Sequence, residues 1–286
     1  MNKTILTDSK GSEIRFSKVH HFNGEVCFKD FSIKYVVAGA EAYKMGKKEY
    51  TLKPNEYLVG SKTFSNVKID NPTPVYGICI DLSEEIIHEV ITYNYRDFPT
   101  FKNYLFDQDT IKTRFKLSNN LLGGALKNIG NEFESIIKNN DLLNSEIFYL
   151  LSESLLAEQY HLFGQYKNLD ALKTTTNKRT FNLLLDSREY IDQHYLEKID
   201  LQNIAENNNV SEYHFLRLFK KAFSVTPHQY IIQKRLEFSK TLLSENYDLN
   251  DVAFLSGFAD QPSFTKCFKK KYAITPNNFK KNISNF

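Results

Sequence analysis

Tryptophan is absent from this chain of 286 residues, and cysteine occurs only at Cys27, Cys79 and Cys267. Three isolated cysteines, odd in number, offer no disulfide framework and point to a reducing cytoplasm. The core must then draw heavily on 23 phenylalanines and 17 tyrosines. No run of about 18 apolar residues occurs, so no membrane span is expected. The polar stretch from Met1 to Lys10 lacks the apolar segment of a signal peptide. The chain also lacks a glycine-rich phosphate loop and any Ser/His/Asp or Cys/His arrangement of the kind nucleophilic catalysis needs. A catalytic metal requires clustered histidines and a carboxylate. Here His20 and His21 are adjacent, so their side chains diverge on extended backbone, and they read as surface or strand-end residues. His88 and His161 fall in predicted helices, and Asn66 stands where a turn histidine would be needed. The chain is therefore expected to be no enzyme, with no metal site and no cofactor.

Acidic residues are missing from two long stretches. Between Tyr213 and Leu236 there is no Asp or Glu but there are Arg217, Lys220, Lys221, Lys234 and Arg235. Between Gln261 and Phe286 there is again no acid, and lysines stand at 266, 269, 270, 271, 280 and 281. The formal net charge of the whole chain is only +3, so the basic residues are locally segregated. A polyanionic partner explains that segregation better than solubility does.

The two stretches belong to a duplicated unit. Asp200-Leu-Gln-Asn-Ile-Ala205 returns as Asp248-Leu-Asn-Asp-Val-Ala253, and Phe219-Lys-Lys-Ala-Phe-Ser-Val-Thr-Pro227 as Phe268-Lys-Lys-Lys-Tyr-Ala-Ile-Thr-Pro276. The front ends lie 48 residues apart and the tails 49, which places one extra residue in the second turn, near Gly257. Near-constant spacing over such a length marks a repeated structural unit. Asp200 and Asp248 suit helix N-caps. A short helix follows, then a turn at Asn207-Asn208-Asn209 or Ser256-Gly257-Phe258, then a second helix capped by Ser211 or Asp260. In the second helices Phe215, Leu218, Phe219 and Ala222, or Phe264, Cys267 and Phe268, share one face; Arg217 and Lys220, or Gln261, Thr265 and Lys269, lie outside. Helix, short turn and basic amphipathic helix is the helix-turn-helix pattern. Between the copies, Thr226 and Gln229 form a Thr-x-x-Gln capping box with Pro227 at the first helical position, opening a helix over roughly 227–243.

The N-terminal half reads differently. Over 12–82 short apolar runs alternate with turn signals, which suggests a sandwich or small barrel. Phe31, Ile33, Tyr35 and Val37 alternate with Ser32 and Lys34, as in a half-buried strand. Turns are expected at Gly46-Lys47-Lys48 and Lys53-Pro54-Asn55-Glu56, a break at Pro72/Pro74, and a well-buried strand from Val75 to Leu82. Ser83-Glu84-Glu85 opens a helix running to about Tyr93. Residues 94–118 are aromatic-rich and read as irregular. Leu122, Leu126, Ile129, Phe133 and Ile136 form one helical stripe, and Leu143, Ile147, Leu150, Leu151 and Leu155 a second; the two join near Asn139-Asn140-Asp141 as a helical hairpin. Residues 166–180, with three consecutive threonines, read as a linker.

Residues 181–286 resemble the DNA-binding domain of the AraC/XylS family of bacterial transcription regulators. The resemblance rests on Ile204-Ala205, Ser211, Phe215 with Phe219-Lys220-Lys221, Thr226-Pro227-His228-Gln229-Tyr230, Arg235-Leu236, Gly257-Phe258-Ala259-Asp260, Phe264, Phe268-Lys269-Lys270 and Thr275-Pro276-Asn277-Asn278-Phe279. The family's usual glycine before each Thr-Pro pair is Ser224 in one copy and Ala273 in the other. Tyr35 to Leu82 resembles, more loosely, the cupin-like sensor domain common in this family. The resemblance implies an α+β, multidomain chain: a cupin-like β-barrel sensor and dimerisation domain over 1–165 with its helical hairpin at about 120–165, a linker over 166–180, and seven helices in two helix-turn-helix subdomains over 181–286. It implies a cytoplasmic homodimer that binds promoter DNA, acts with RNA polymerase, and activates transcription in response to a small-molecule effector of unknown identity. The alternatives are control by a protein partner or by abundance, and, more remotely, a metal-dependent cupin enzyme. By motif position, base contacts fall to Tyr213, His214, Leu216 and Arg217 in the first reader and to Gln261, Thr265 and Lys266 in the second. Lys220, Lys221, Lys269 and Lys270 fall on phosphates.

Overall fold

Two unusually long strands carry the N-terminal architecture. A computed structural model describes residues 2–45, 48–96, 98–106, 114–117, 120–138, 143–169, 174–207 and 209–283. The expected turn at Gly46-Lys47, the join at Asn139-Asn140-Asp141, Asn208, residues 170–173 of the expected linker and parts of 94–118 lie outside them. The chain divides into two compact units, Met1–Gly164 and Gln165–Phe286.

In the first unit β2 (Glu13–Phe28) and β7 (Thr63–Leu82) pair antiparallel over most of their length. With β1 (Asn2–Thr7), β3 (Phe31–Ala38), β6 (Glu56–Gly60) and β8 (Arg114–Lys116) they give the order β1-β2-β7-β3-β6-β8, and β4 (Glu41–Met45) pairs both β7 and β5 (Lys48–Leu52). One half of β7 thus pairs with β4 and the other with β3. Phe28, Val36, Tyr43, Leu52, Leu58, Val67, Ile69 and Val75, drawn from six strands, pack in a single cluster. The sheet is therefore rolled around its own inner face. Pro72 and Pro74 do not end a strand as expected. They fall where the β2–β7 register jumps from Val19–Val75 to His21–Asp70, so their missing N–H groups interrupt no ladder bond.

β3 departs from the expected half-buried alternation, because Phe31 through Val36 are all buried. It lies between β7 and β6. Its Val36 side joins the rolled core, while Tyr35, on the opposite face, meets Gly130 so closely that a Cβ there would lie 2.9 Å from the ring. The outer face of the sheet is thus covered by helices. Phe133 stacks on Phe16 at 4.6 Å and lies edge-on to Tyr76 at 5.5 Å. Buried Lys34 lies 3.8 Å from Asp81 and over the Phe28 ring, and Asp81 also accepts from Ser32 and Arg15. A buried charge is tolerable only with such partners.

Ser83 caps α1 (Glu84–Asn94) as expected. Residues 94–118, expected to be irregular, contain α2 (Phe98–Leu105) and β8. Phe101 sits among Tyr95, Tyr160 and Phe163 at 5.0–5.3 Å between ring centroids, and this packing, invisible in local pattern, orders the segment. The first helix of the expected hairpin is divided into α3 (Leu121–Asn131) and α4 (Phe133–Lys138), although its whole stripe is buried. In α5 (Glu146–Lys167) Leu151 and Leu155 are buried, but Leu150 is 55% exposed. The inward face centres instead on Phe148, Leu151, Leu155 and Leu162, and Leu150 is rotated about 100° from Leu151.

The second unit contains α6 (Thr174–His194), α7 (Leu201–Asn207), α8 (Glu212–Phe223), α9 (Pro227–Ser244), α10 (Leu249–Leu255), α11 (Gln261–Tyr272) and α12 (Pro276–Ile283). The threonines expected in a linker begin α6. Threonine costs only tenths of a kcal/mol per helical position, and buried Phe181, Leu184 and Ile191 anchor the helix. α9 carries the expected capping box, with Gln229 N–H donating to Thr226 Oγ1 at 3.2 Å and Thr226 N–H donating to Gln229 Oε1 at 3.0 Å. Among the described residues no helix is long and apolar enough to cross a membrane.

Candidate nucleic-acid interface

The duplication in sequence is a duplication in geometry. Ser211 Oγ accepts from His214 N–H at 3.3 Å, and Asp260 Oδ1 accepts from Ser263 N–H at 2.7 Å. The latter bond holds the Asp260 carboxyl below its usual range. Behind the caps, Phe215 and Phe219 meet at 5.8 Å and 62°, and Phe264 and Phe268 at 5.6 Å and 67°. Each helix stops at a left-handed residue: Ser224 has φ 63° and Ala273 φ 61°. Their N–H groups donate to Lys220 O and Lys269 O at 2.8 and 2.9 Å. The glycine usual at these positions is thus missing where backbone geometry favours it.

The turns also correspond. Asn209 N–H donates to Glu206 O and Val210 N–H to Ala205 O; 48 residues on, Gly257 N–H donates to Phe254 O and Phe258 N–H to Ala253 O. The caps that follow, Ser211 and Asp260, are 49 apart. The extra residue of the second copy is therefore Ala259, just past Gly257.

This correspondence aligns the outer faces of α8 and α11. Arg217 matches Lys266, and both are exposed; Leu216 matches Thr265, and both are half-buried. Tyr213, 78% exposed in the first turn of α8, matches Pro262. His214 and Gln261 are half-buried. Lys220 and Lys221, and their counterparts Lys269 and Lys270, are exposed in the last turns. Cations there also complement the helix dipole, but the dipole does not account for Arg217 and Lys266 a turn earlier.

Three cations counted in the acid-free stretches serve the fold instead. Arg235 donates through Nε to Tyr195 O at 2.6 Å, through Nη2 to Glu197 O at 2.8 Å and through Nη1 to Gly257 O. It ties the end of α6 and the turn after α10 to α9. Lys234 pairs with Asp192 at 2.9 Å. Lys280 donates to Asn246 O and Tyr247 O at 3.0 and 2.7 Å, closing the turn after α9. Asp192, which also accepts from Tyr230 Oη at 2.9 Å, lies far upstream of these cations, so an acid-free window could not reveal it.

In the first unit His20 and His21 are exposed within β2, with His21 Nδ1 3.0 Å from Asp70. Among the described residues no three His, Cys, Asp or Glu side chains are gathered as metal ligands.

Two capped helix-turn-helix units on one connecting helix, with basic outer faces, define a bipartite DNA-binding domain of bacterial regulator type. A profile of the helix-turn-helix domain matches residues 204–282. The probable transcription factor PqrA of Proteus vulgaris is 34% identical over 87 residues, covering 30% of this chain and 71% of PqrA. The chain belongs to the AraC/XylS family of transcriptional regulators. The probable transcriptional regulator LumQ of Photobacterium leiognathi is 36% identical over 98 residues, or 34% of this chain, and the chain spans only 39% of LumQ. A solved AraC-type transcriptional regulator from Chromobacterium violaceum is 22% identical over 36% of this chain and 93% of its own, with a TM-score of 0.33.

Proposed function

We propose that the chain is a sequence-specific DNA-binding regulator whose two recognition helices read successive major-groove segments on one face of the duplex. The repetition of cap, phenylalanine pair, left-handed stop and exposed basic position in α8 and α11 supports this reading most directly. α9, at 18 residues, rises roughly 27 Å, comparable with the roughly 34 Å between successive major-groove segments on one face. Arg217 takes a guanine edge through two N–H groups, Gln261 an adenine or mixed edge, and Leu216 a thymine methyl. Tyr213, His214, Thr265 and Lys266 complete the base-facing set, and Lys220, Lys221, Lys269 and Lys270 hold phosphates and set register. The DNA-binding domain covers 181–286, its first helix extended back to Thr174. The first unit is a cupin-like sensor and dimerisation domain that responds to a small molecule. The protein acts in the cytoplasm as a homodimeric activator with RNA polymerase, and is not an enzyme.

Genome-wide occupancy of the tagged protein, followed by footprinting at the strongest sites, tests the proposal. Paired protected segments upstream of a few operons are expected. Diffuse occupancy indifferent to sequence would leave a basic DNA-coating protein and remove Arg217 and Gln261 as base readers.

A further inference from the structure

One acid stands at the head of the first reader. α8 carries Arg217, Lys220 and Lys221 and a single acidic residue, Glu212. Ser211 caps the helix through His214 N–H at 3.3 Å, which makes Glu212 its first residue. Asp260 caps α11 through Ser263 N–H at 2.7 Å, which makes Gln261 the counterpart. Glu212 is exposed. With Leu216 and Lys220 it forms a stripe at every fourth position, and Gln261, Thr265 and Lys269 form the same stripe on α11. The buried faces of the two helices correspond, Phe215 and Phe219 matching Phe264 and Phe268, so the outer stripes are presented alike. Helical side chains lean towards the N-terminus. At a first helical position the side chain therefore projects ahead of the helix, at the end that contacts base edges when a recognition helix enters the major groove.

A carboxylate in that place has few partners. Phosphates repel it, so it cannot share the backbone role of Lys220 and Lys221. It only accepts hydrogen bonds, and the major groove offers two donors, cytosine N4 and adenine N6. Adenine N6 is flanked by acceptors on both sides, its own N7 and the O4 of the paired thymine, whereas cytosine N4 has an acceptor on one side only. We propose that Glu212 is a specificity-determining residue of the first reader, its carboxylate accepting a hydrogen bond from the N4 amino group of a cytosine. The amide of Gln261 both donates and accepts, so the same position in the second copy reads a different edge. The negative charge of Glu212 also disfavours every DNA that lacks the matching donor, which sharpens discrimination. This deepens, and rests on, the reading of α8 as a helix that enters the major groove.

Selection of the full chain and of Glu212→Gln from randomised duplex DNA, followed by competition at the selected site, tests it. The wild type is expected to require cytosine at one position of the block that also depends on Arg217. Glu212→Gln should lose that requirement and keep the rest of the site. Replacing the cytosine–guanine pair by thymine–adenine puts an acceptor where the amino group was. The change should weaken the wild type roughly 5- to 100-fold and the Gln variant far less. Glu212→Gln should also bind random DNA more tightly, because one negative charge leaves the interface with a polyanion. An acid in the first turn also complements the helix dipole. Glu212→Asp keeps that charge but is one methylene shorter, so it should unfold at the wild-type temperature and still lose the cytosine requirement. Selection of the wild-type site by both variants, or a requirement at the lost position for a base other than cytosine, would overturn the assignment and leave the two-helix reading in place. If the wild type selects no site, that reading fails and the assignment with it.

Discussion

Ser224 and Ala273 hold a backbone conformation that glycine adopts freely, at φ 63° and 61°. Neither side chain is buried, so removing it opens no cavity. Ser224→Gly and Ala273→Gly should each raise unfolding stability by about 1 kcal/mol, measured by denaturant titration; a loss would mean that the looser unfolded chain outweighs the relief of strain. Arg217 carries a different expectation, because it is exposed in the middle of α8. Arg217→Ala should cost roughly 1–3 kcal/mol on a specific site and relax one base position. Lys269→Ala should weaken specific and random sites alike and lower the salt slope by about one unit. Competition binding over a range of salt separates the two: equal loss from Arg217→Ala on both kinds of DNA would make it a phosphate contact, and an unchanged slope for Lys269→Ala would take it out of the interface.

At the scale of elements, Arg235 is the bond between the two halves of the second unit. Its guanidinium meets three carbonyls, at Tyr195, Glu197 and Gly257, a fan that a lysine ammonium cannot reproduce. Arg235→Lys should destabilise the chain by about 2–3 kcal/mol, read by thermal or urea unfolding, while DNA affinity per folded molecule changes little. A stable variant that has lost DNA affinity would place Arg235 on the DNA instead. The helical half was the more legible in sequence, because caps at Ser211, Thr226, Asp248 and Asp260 are local signals and each is formed as expected. The elements that pattern did not reveal depend on distant partners. α2 is ordered by Tyr160 and Phe163, and β3 is buried on both faces because helices cover Tyr35. Thr174 to Thr176 are helical because they continue a helix anchored by Phe181. The same reason explains the basic residues: Arg217 and Lys266 are surface positions in both copies, whereas Lys234 and Lys280 are engaged by groups dozens of residues away.

At the scale of the molecule, the second unit is built as two copies of one reader on α9, and the copies differ where they would face DNA. α8 offers Tyr213, Leu216 and Arg217; α11 offers Pro262, Thr265 and Lys266. Proline has no side-chain hydrogen-bonding group and lysine binds as a point charge, whereas arginine can take a guanine edge through two N–H groups. The first copy should therefore discriminate bases more sharply than the second. Selection of the full chain against randomised duplex DNA tests whether α8 and α11 read DNA together. Two enriched blocks centred about 10 base pairs apart are expected, the stronger losing information in Arg217→Ala and the weaker in Gln261→Ala. A single block, or no enrichment over random sequence, would contradict a bipartite reader built on α8 and α11.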